Sequence, residues 1–203
     1  MDWPSLVTLC DFLATFAFAL VGARIAAGRN MDFGGIALVA AVSSLAGGTF
    51  RNLFLLTSPS WVLNPWLLLP VVVAVIFTIS LKSVAPVGRF ILSLDSFGLA
   101  VSTVSSAEFA LKLHAKPVIA ILMGLIGGVT GGLLRDLLAQ IPPVLLHRET
   151  IGTSCFVGAL ALVIANQFHP HKLVPVFVGG FFVLLIRELS IHFKWNLPKV
   201  SPK

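Results

Sequence analysis

Two segments of this chain join paired glycines to an arginine, which would set accessible backbone beside a fixed cation. They read AGGTFRN, from Ala46 to Asn52, and TGGLLRD, from Thr130 to Asp136. Gly47, Gly48 and Arg51 correspond to Gly131, Gly132 and Arg135 at one offset of 84 residues. The same offset carries Asp11 onto Asp95, Ala23 onto Ala107 and Pro59 onto Pro143 with no gap. Residues of these types bind or pass small charged species: arginine attracts anions, aspartate attracts cations, and glycine bares amides and carbonyls. In lipid both the bare backbone and the charges are costly, so each must face protein or water.

The elements that position them are membrane helices. With 57% hydrophobic and 11% charged residues and a mean hydropathy of +1.00, soluble, disordered and fibrous classes are excluded. Seven apolar stretches, 5–27, 34–56, 64–82, 89–111, 117–140, 149–167 and 173–193, are long enough to cross a hydrocarbon core of about 30 Å. They leave no room for a soluble catalytic domain. The expected fold is an all-α polytopic membrane protein, with seven transmembrane helices arranged as two inverted three-helix repeats plus a seventh helix. The units are 1–83, 84–168, and 169–203 for the last helix and a short tail. An odd number of crossings per repeat makes the second enter from the opposite side.

The net charge of +6 is spread over loops, so it reports orientation rather than a nucleic-acid partner. Arg24, Arg29, Lys82, Arg89, Lys194, Lys199 and Lys203 share one side, against Lys112, Lys116 and Lys172 on the other. The positive-inside rule then places the N-terminus outside and the C-terminus in the cytoplasm. The same placement puts Trp3, Trp61 and Trp66 at the outer interface and Trp195 at the inner one. The N-terminus has no basic n-region, so the first span reads as a retained helix. Cys10 and Cys155 give no disulfide framework, and His169-x-His171 reads as an interfacial turn.

The glycines admit two readings. Gly47-Gly48 in the second span, and Gly127-Gly128 with Gly131-Gly132 in the fifth, could break their helices and free backbone groups to line a pore. Alternatively, Gly124, Gly127, Gly128, Gly131 and Gly132 form a small-residue stripe for close helix packing. Arg51 and Arg135 lie one turn beyond Gly47 and Gly131 and need partners. Asp136 is adjacent to Arg135, but neighbours on a helix point apart, so a partner is expected from another helix. Asp11 and Asp95 are the candidates, either as helix-tethering ion pairs or as pore charges. Ser43, Ser44, Thr49 and Thr130 flank the glycines, and Ser102, Thr103, Ser105 and Ser106 cluster in the fourth span. Their hydroxyls either line a water path or bond back to their own helices. Arg24 and Glu108 sit near span ends, where snorkelling suffices, and no central role is expected.

These motifs resemble the TRIC family, the trimeric intracellular cation channels, in its prokaryotic branch. The resemblance runs over nearly the whole chain: Asp11, MDFGG from Met31 to Gly35, AGGTFRN, Asp95, GGVTGGLLRDLLAQIPPVLL from Gly127 to Leu146, and WNLP from Trp195 to Pro198. It implies a homotrimer with one pore per protomer, in a prokaryotic inner membrane. The pore would conduct monovalent cations, chiefly potassium, through helices kinked at Gly47, Gly48, Gly131 and Gly132. In eukaryotic relatives basic residues beside the kinks contact anionic phospholipid, and Arg51 and Arg135 match only the arginine of that motif. Ala46 and Thr130 replace the usual first glycine, and Asn52 replaces the aspartate of repeat one.

No resident cofactor is expected, only permeant potassium or sodium and bound phospholipid; the partners are further copies of the chain and membrane lipid. An enzyme is not expected, since no nucleophile with a base or metal-ligand set lies at depth. A secondary transporter of a small zwitterion such as an amino acid is the alternative, and a non-conducting scaffold is the third.

Overall fold

Asp32 sets the start of the second helix by accepting a hydrogen bond from the Gly35 amide at 2.7 Å, which accounts for the aspartate of the MDFGG segment. The computed structural model describes residues 3–81, 88–142, 150–168 and 173–193. Their helices are α1 (Trp3–Gly28), α2 (Phe33–Phe54), α3 (Ser60–Leu63), α4 (Leu69–Ser80), α5 (Arg89–Lys112), α6 (Pro117–Leu138), α7 (Thr150–Phe168) and α8 (Val174–Phe193). A 3-10 turn, Pro65–Leu68, leads into α4. Lys82, Pro143, Leu146, His147, His169, His171, Lys172, Lys194, Lys199, Lys203 and the WNLP tail lie outside the described residues.

Among the described residues six helices are long and apolar enough to span a membrane, and Pro65–Ser80 is a shorter apolar seventh. That stretch is the expected third span, 64–82, with its first turn wound as a 3-10 turn. Pro65 opens the 3-10 turn and Pro70 sits in the first turn of α4, because each lacks the amide that a continuous helix would need there. The α4 helix itself has 12 residues, about 18 Å at 1.5 Å per residue. Large apolar side chains such as Leu38, Ile76, Phe177 and Phe181 are exposed on the outer faces, as lipid contact demands.

The repeat is written into the backbone. Among the described residues the non-glycine residues with positive φ are Asn30, Leu56, His114 and Gln140, and they fall into two pairs 84 apart, Asn30 with His114 and Leu56 with Gln140. Each closes its helix in the same way: Met31, Thr57, Ala115 and Ile141 donate their amides to Ala26, Asn52, Ala110 and Asp136, five residues back. The two cores use equivalent positions as well. Leu20, Ala23, Ala26, Ile36 and Val39 pack in the first, and Val104, Ala107, Ala110, Ala120 and Met123 in the second.

One three-helix unit is α1, α2 and α4; the other is α5, α6 and α7. They meet where α2 packs on α6 and α1 on α5, and α8 covers α7 and α5. The start of α1 lies beside the ends of α2 and α5, since Asp11, Arg51 and Glu108 share one cavity. The second unit therefore runs through the bilayer in the opposite sense to the first.

Candidate functional site

At the centre, α2 and α6 cross at their glycines. A methyl group on Gly47 would strike the Gly127 carbonyl oxygen, and one on Gly131 would strike the Ser43 carbonyl oxygen. Ser43 and Gly47 correspond to Gly127 and Gly131, so the contact is reciprocal about the axis that relates the repeats. On α6, Gly127 also abuts the Ser106 hydroxyl, and Gly128 abuts Thr103 and Cys155. The expected helix breaks are not present: α2 and α6 run unbroken through all these glycines. Close approach of two backbones keeps every helical hydrogen bond, whereas a break would leave amides and carbonyls to be satisfied elsewhere. The second glycine of each motif behaves differently. Gly48 has open space where a side chain would be, and Gly132 meets only the guanidinium of Arg135, at 3.6 Å.

Several hydroxyls near the crossing bond to helix backbone. Ser44 donates to the Ala40 carbonyl at 2.9 Å, Thr49 to Leu45 at 2.8 Å and Thr130 to Ile126 at 2.5 Å. Ser43 and Ser102 bridge helices instead, to Phe18 at 3.0 Å and to Gly127 at 2.8 Å.

The two arginines have unequal surroundings. Arg135, only 4% exposed, donates to Asp95 at 2.5 Å and to Asp136 at 2.9 Å. The adjacent aspartate is thus a partner after all, because the Nε–H turns back along the helix to reach it while the far end of the guanidinium reaches α5. Arg51 keeps the first of these bonds, to Asn52 at 2.7 Å. Its outer nitrogens reach hydroxyls, Ser60 at 3.2 Å and Ser105 at 3.5 Å, and its guanidinium carbon lies 4.3 Å from the Phe109 ring centre. Among the described residues no ion pair joins Asp11 to Arg51.

Between them lies a cavity of about 230 Å³. Asp11, Ser44, Gly48, Arg51, Ser60, Trp61, Ser102, Ser105, Ser106, Glu108, Phe109 and Lys112 line it, with apolar side chains from α1, α2, α5 and the 3-10 turn. Sequence alone accounts for its one-sidedness. Where α5 presents Ser102, Ser105, Ser106 and Glu108, α1 presents Phe18, Val21, Gly22 and Arg24 at the equivalent positions. Phe18 and Val21 are buried in the packing. The corresponding region of the other half therefore lacks both the hydroxyls and the acid.

Four features lay beyond sequence reasoning. Glu108 lines the cavity, paired with Lys112 at 3.0 Å, so it is not merely a span-end residue. Trp61, expected at the interface, is in the cavity wall and donates to Thr49 at 3.0 Å, because α3 folds back over the end of α2. Arg187, in α8, is 3% exposed. Its signal in the sequence is a charge directly after the apolar run of residues 174–186. Arg29 donates to the carbonyls of Ala139 and Gln140, both at 3.2 Å, tying the α1–α2 turn to the end of α6.

An inverted helical repeat with a polar cavity beside its central crossing defines a polytopic membrane protein of the channel and transporter class. A family model described as "glycine transporter" matches residues 8–83 and again 92–167, two matches that begin 84 residues apart. The UPF0126 inner membrane protein YadS of Escherichia coli K12 is 34% identical over 197 residues, covering 95% of each chain. A UPF0126 membrane protein of Vibrio cholerae is 32% identical, over 96% of this chain and 82% of its own. Among solved structures, a TRIC trimeric intracellular cation channel orthologue from Rhodobacter sphaeroides superimposes with a TM-score of 0.87 at 34% identity, over 94% of this chain and all of the other. A structure described in a study of conductance through TRIC cation channels gives 0.87 at 27% identity, over 97% and 98%. The chain belongs to the prokaryotic TRIC family, alongside the UPF0126 membrane proteins.

Proposed function

We propose that the protein is a monovalent cation channel, permeable to potassium, with a conduction path inside each protomer entered through the one-sided cavity. The observation that carries this reading is the polar wall of α5. Three serine hydroxyls and the carboxylates of Asp11 and Glu108 line the entrance, a set that can replace part of a cation's hydration shell. From there the path continues at the second glycines, Gly48 and Gly132, where the crossing helices leave space, with Ser43, Thr49, Gly127, Gly128, Thr130 and Gly131 forming the crossing itself. At the far end Arg135, held by Asp95 and Asp136, closes the route, and conduction requires that cluster to move. Similarity to proteins described as TRIC cation channels supports the same reading. By that similarity and by its loop charges the protein is a homotrimer in a bacterial inner membrane, N-terminus outside and C-terminus in the cytoplasm. The test is to reconstitute it in planar bilayers under a potassium chloride gradient. Discrete, ohmic openings that reverse near the potassium potential are expected.

A second reading, a carrier of a small zwitterion, is favoured by the opposite charges of Asp11 and Arg51 on one cavity and by the description of the matching family model. A carrier gives saturable uptake and counterflow in liposomes without unitary currents. Against a symmetric alternating-access cycle stands the composition of α1, whose Phe18 and Val21 cannot form the polar wall on the opposite side.

A further inference from the structure

Asn52 stands where the second repeat has Asp136, and its side chain does two jobs at once. The amide oxygen accepts from the Arg51 Nε–H at 2.7 Å, as Asp136 does from Arg135, and the amide nitrogen donates to the Ser58 carbonyl at 2.5 Å. An amide carries a donor and an acceptor on one planar group, whereas an ionised carboxylate only accepts. The asparagine therefore holds a stretch of chain that an aspartate would repel.

That stretch, residues 57–64, is strapped across the end of α2 beside the cavity. Thr57 donates its amide to the Asn52 carbonyl at 2.9 Å, Ser60 accepts from Arg51 at 3.2 Å, and Trp61 donates to the Thr49 hydroxyl at 3.0 Å. Ser60 and Trp61 line the cavity, and so does Leu67 from the 3-10 turn that follows. The strap has no core behind it. Neither α3 nor the 3-10 turn contains a buried residue, and Leu56, Val62, Leu63 and Trp66 are exposed. A segment held by a few polar bonds, without packed side chains, opens at far lower cost than the helices around it.

We propose that residues 57–64 form a lid on the cavity, latched by Asn52, and that solutes larger than water enter when it lifts. Lifting parts Asn52 from Ser58, Arg51 from Ser60 and Trp61 from Thr49, and leaves the crossing of α2 and α6 undisturbed. The lid deepens the proposed function, since the mouth it covers is the entrance assigned there. It acts at the opposite end of the path from Arg135, Asp95 and Asp136.

The test is access to a reporter thiol. Ser105→Cys places one in the cavity wall of the full-length protein in detergent. Its modification by trimethylammonium-ethyl methanethiosulfonate is timed by mass spectrometry, with the parent chain, which carries Cys10 and Cys155, as the blank. With Asn52 in place the reaction should run at least about tenfold slower than at an exposed Lys116→Cys control. Asn52→Asp, which keeps an acceptor for Arg51 and loses the donor to Ser58, should speed it at least about tenfold. Trp61→Phe, which keeps the ring and loses the N–H, should speed it at least about threefold. Ser190→Ala breaks the buried hydrogen bond to Thr150 between α7 and α8, far from the strap, and should leave the rate within about twofold. If Asn52→Asp does not fold, Trp61→Phe decides. A starting rate equal to the exposed control, an unchanged rate in the folded lid variants, or equal acceleration by Ser190→Ala overturns the lid. The readout needs no current. Potassium currents with unchanged labelling in the lid variants would remove the lid and leave the channel; accelerated labelling without currents would do the reverse.

Discussion

At the residue scale, the two arginines carry the same sequence motif and different chemistry. Arg135 is satisfied by two carboxylates out of contact with water, while Arg51 faces a cavity with hydroxyls and an aromatic ring. Breaking a buried ion pair from one side leaves an uncompensated charge at a cost of about 3–5 kcal/mol. Asp95→Asn should therefore lower unfolding stability by about that amount, measured by denaturation in detergent. Arg51→Gln should cost clearly less, because the cavity admits water, while altering unitary conductance in bilayers. The motif singled out both arginines. That one is locked and the other is not depended on Asn52 and on residues of α3 and α5 far away in sequence. Glu108 does sit near the end of α5, as its place in the span suggested, and only the approach of α1 and α2 to that end makes it part of the cavity wall as well.

At the scale of elements, the glycines divide by position rather than by motif. Gly47 and Gly131 lie under the facing backbone, and a methyl there forces α2 and α6 apart. Gly47→Ala and Gly131→Ala should each destabilise the fold by about 1–3 kcal/mol, the usual cost of overpacking, read from thermal melts. Gly48 has open space beside it on the cavity wall. Gly48→Ala should leave stability unchanged or raise it by up to about 1 kcal/mol through helix propensity, while lowering unitary conductance, measured in bilayers. A helix hinge at these glycines predicts the opposite pattern, with Gly48→Ala and Gly47→Ala behaving alike. Sequence offered both packing and breakage for these residues, and local propensity could not decide between them. The deciding fact is a contact with a partner helix 84 residues away. The third span was legible as an apolar run, 64–82, and the structure has an apolar helical stretch there, Pro65–Ser80; what hydropathy could not show is that its first turn, between Pro65 and Pro70, is 3-10.

At the scale of the whole molecule, the inverted repeat was legible because it keeps register without a gap, and its traces extend to the left-handed residues that end α1, α2, α5 and α6. What the repeat concealed is its own asymmetry. The serines of α5 stand opposite bulky or packed residues in α1, so a near-symmetric backbone holds a cavity on one side. In the proposed channel that asymmetry gives the path a fixed entrance, on the side of the N-terminus. With the N-terminus outside, a membrane-impermeant thiol reagent applied to intact cells should label a cysteine added before Trp3 and spare one added after Phe193; the reverse pattern would turn the entrance toward the cytoplasm. The central claim, that this cavity is the mouth of a cation path, is tested most directly by the reversal potential of single openings in a planar bilayer under a potassium chloride gradient. Reversal near the potassium equilibrium potential is the predicted result. Reversal near the chloride potential, or persistent silence from folded protein that takes up a zwitterion saturably, would contradict it.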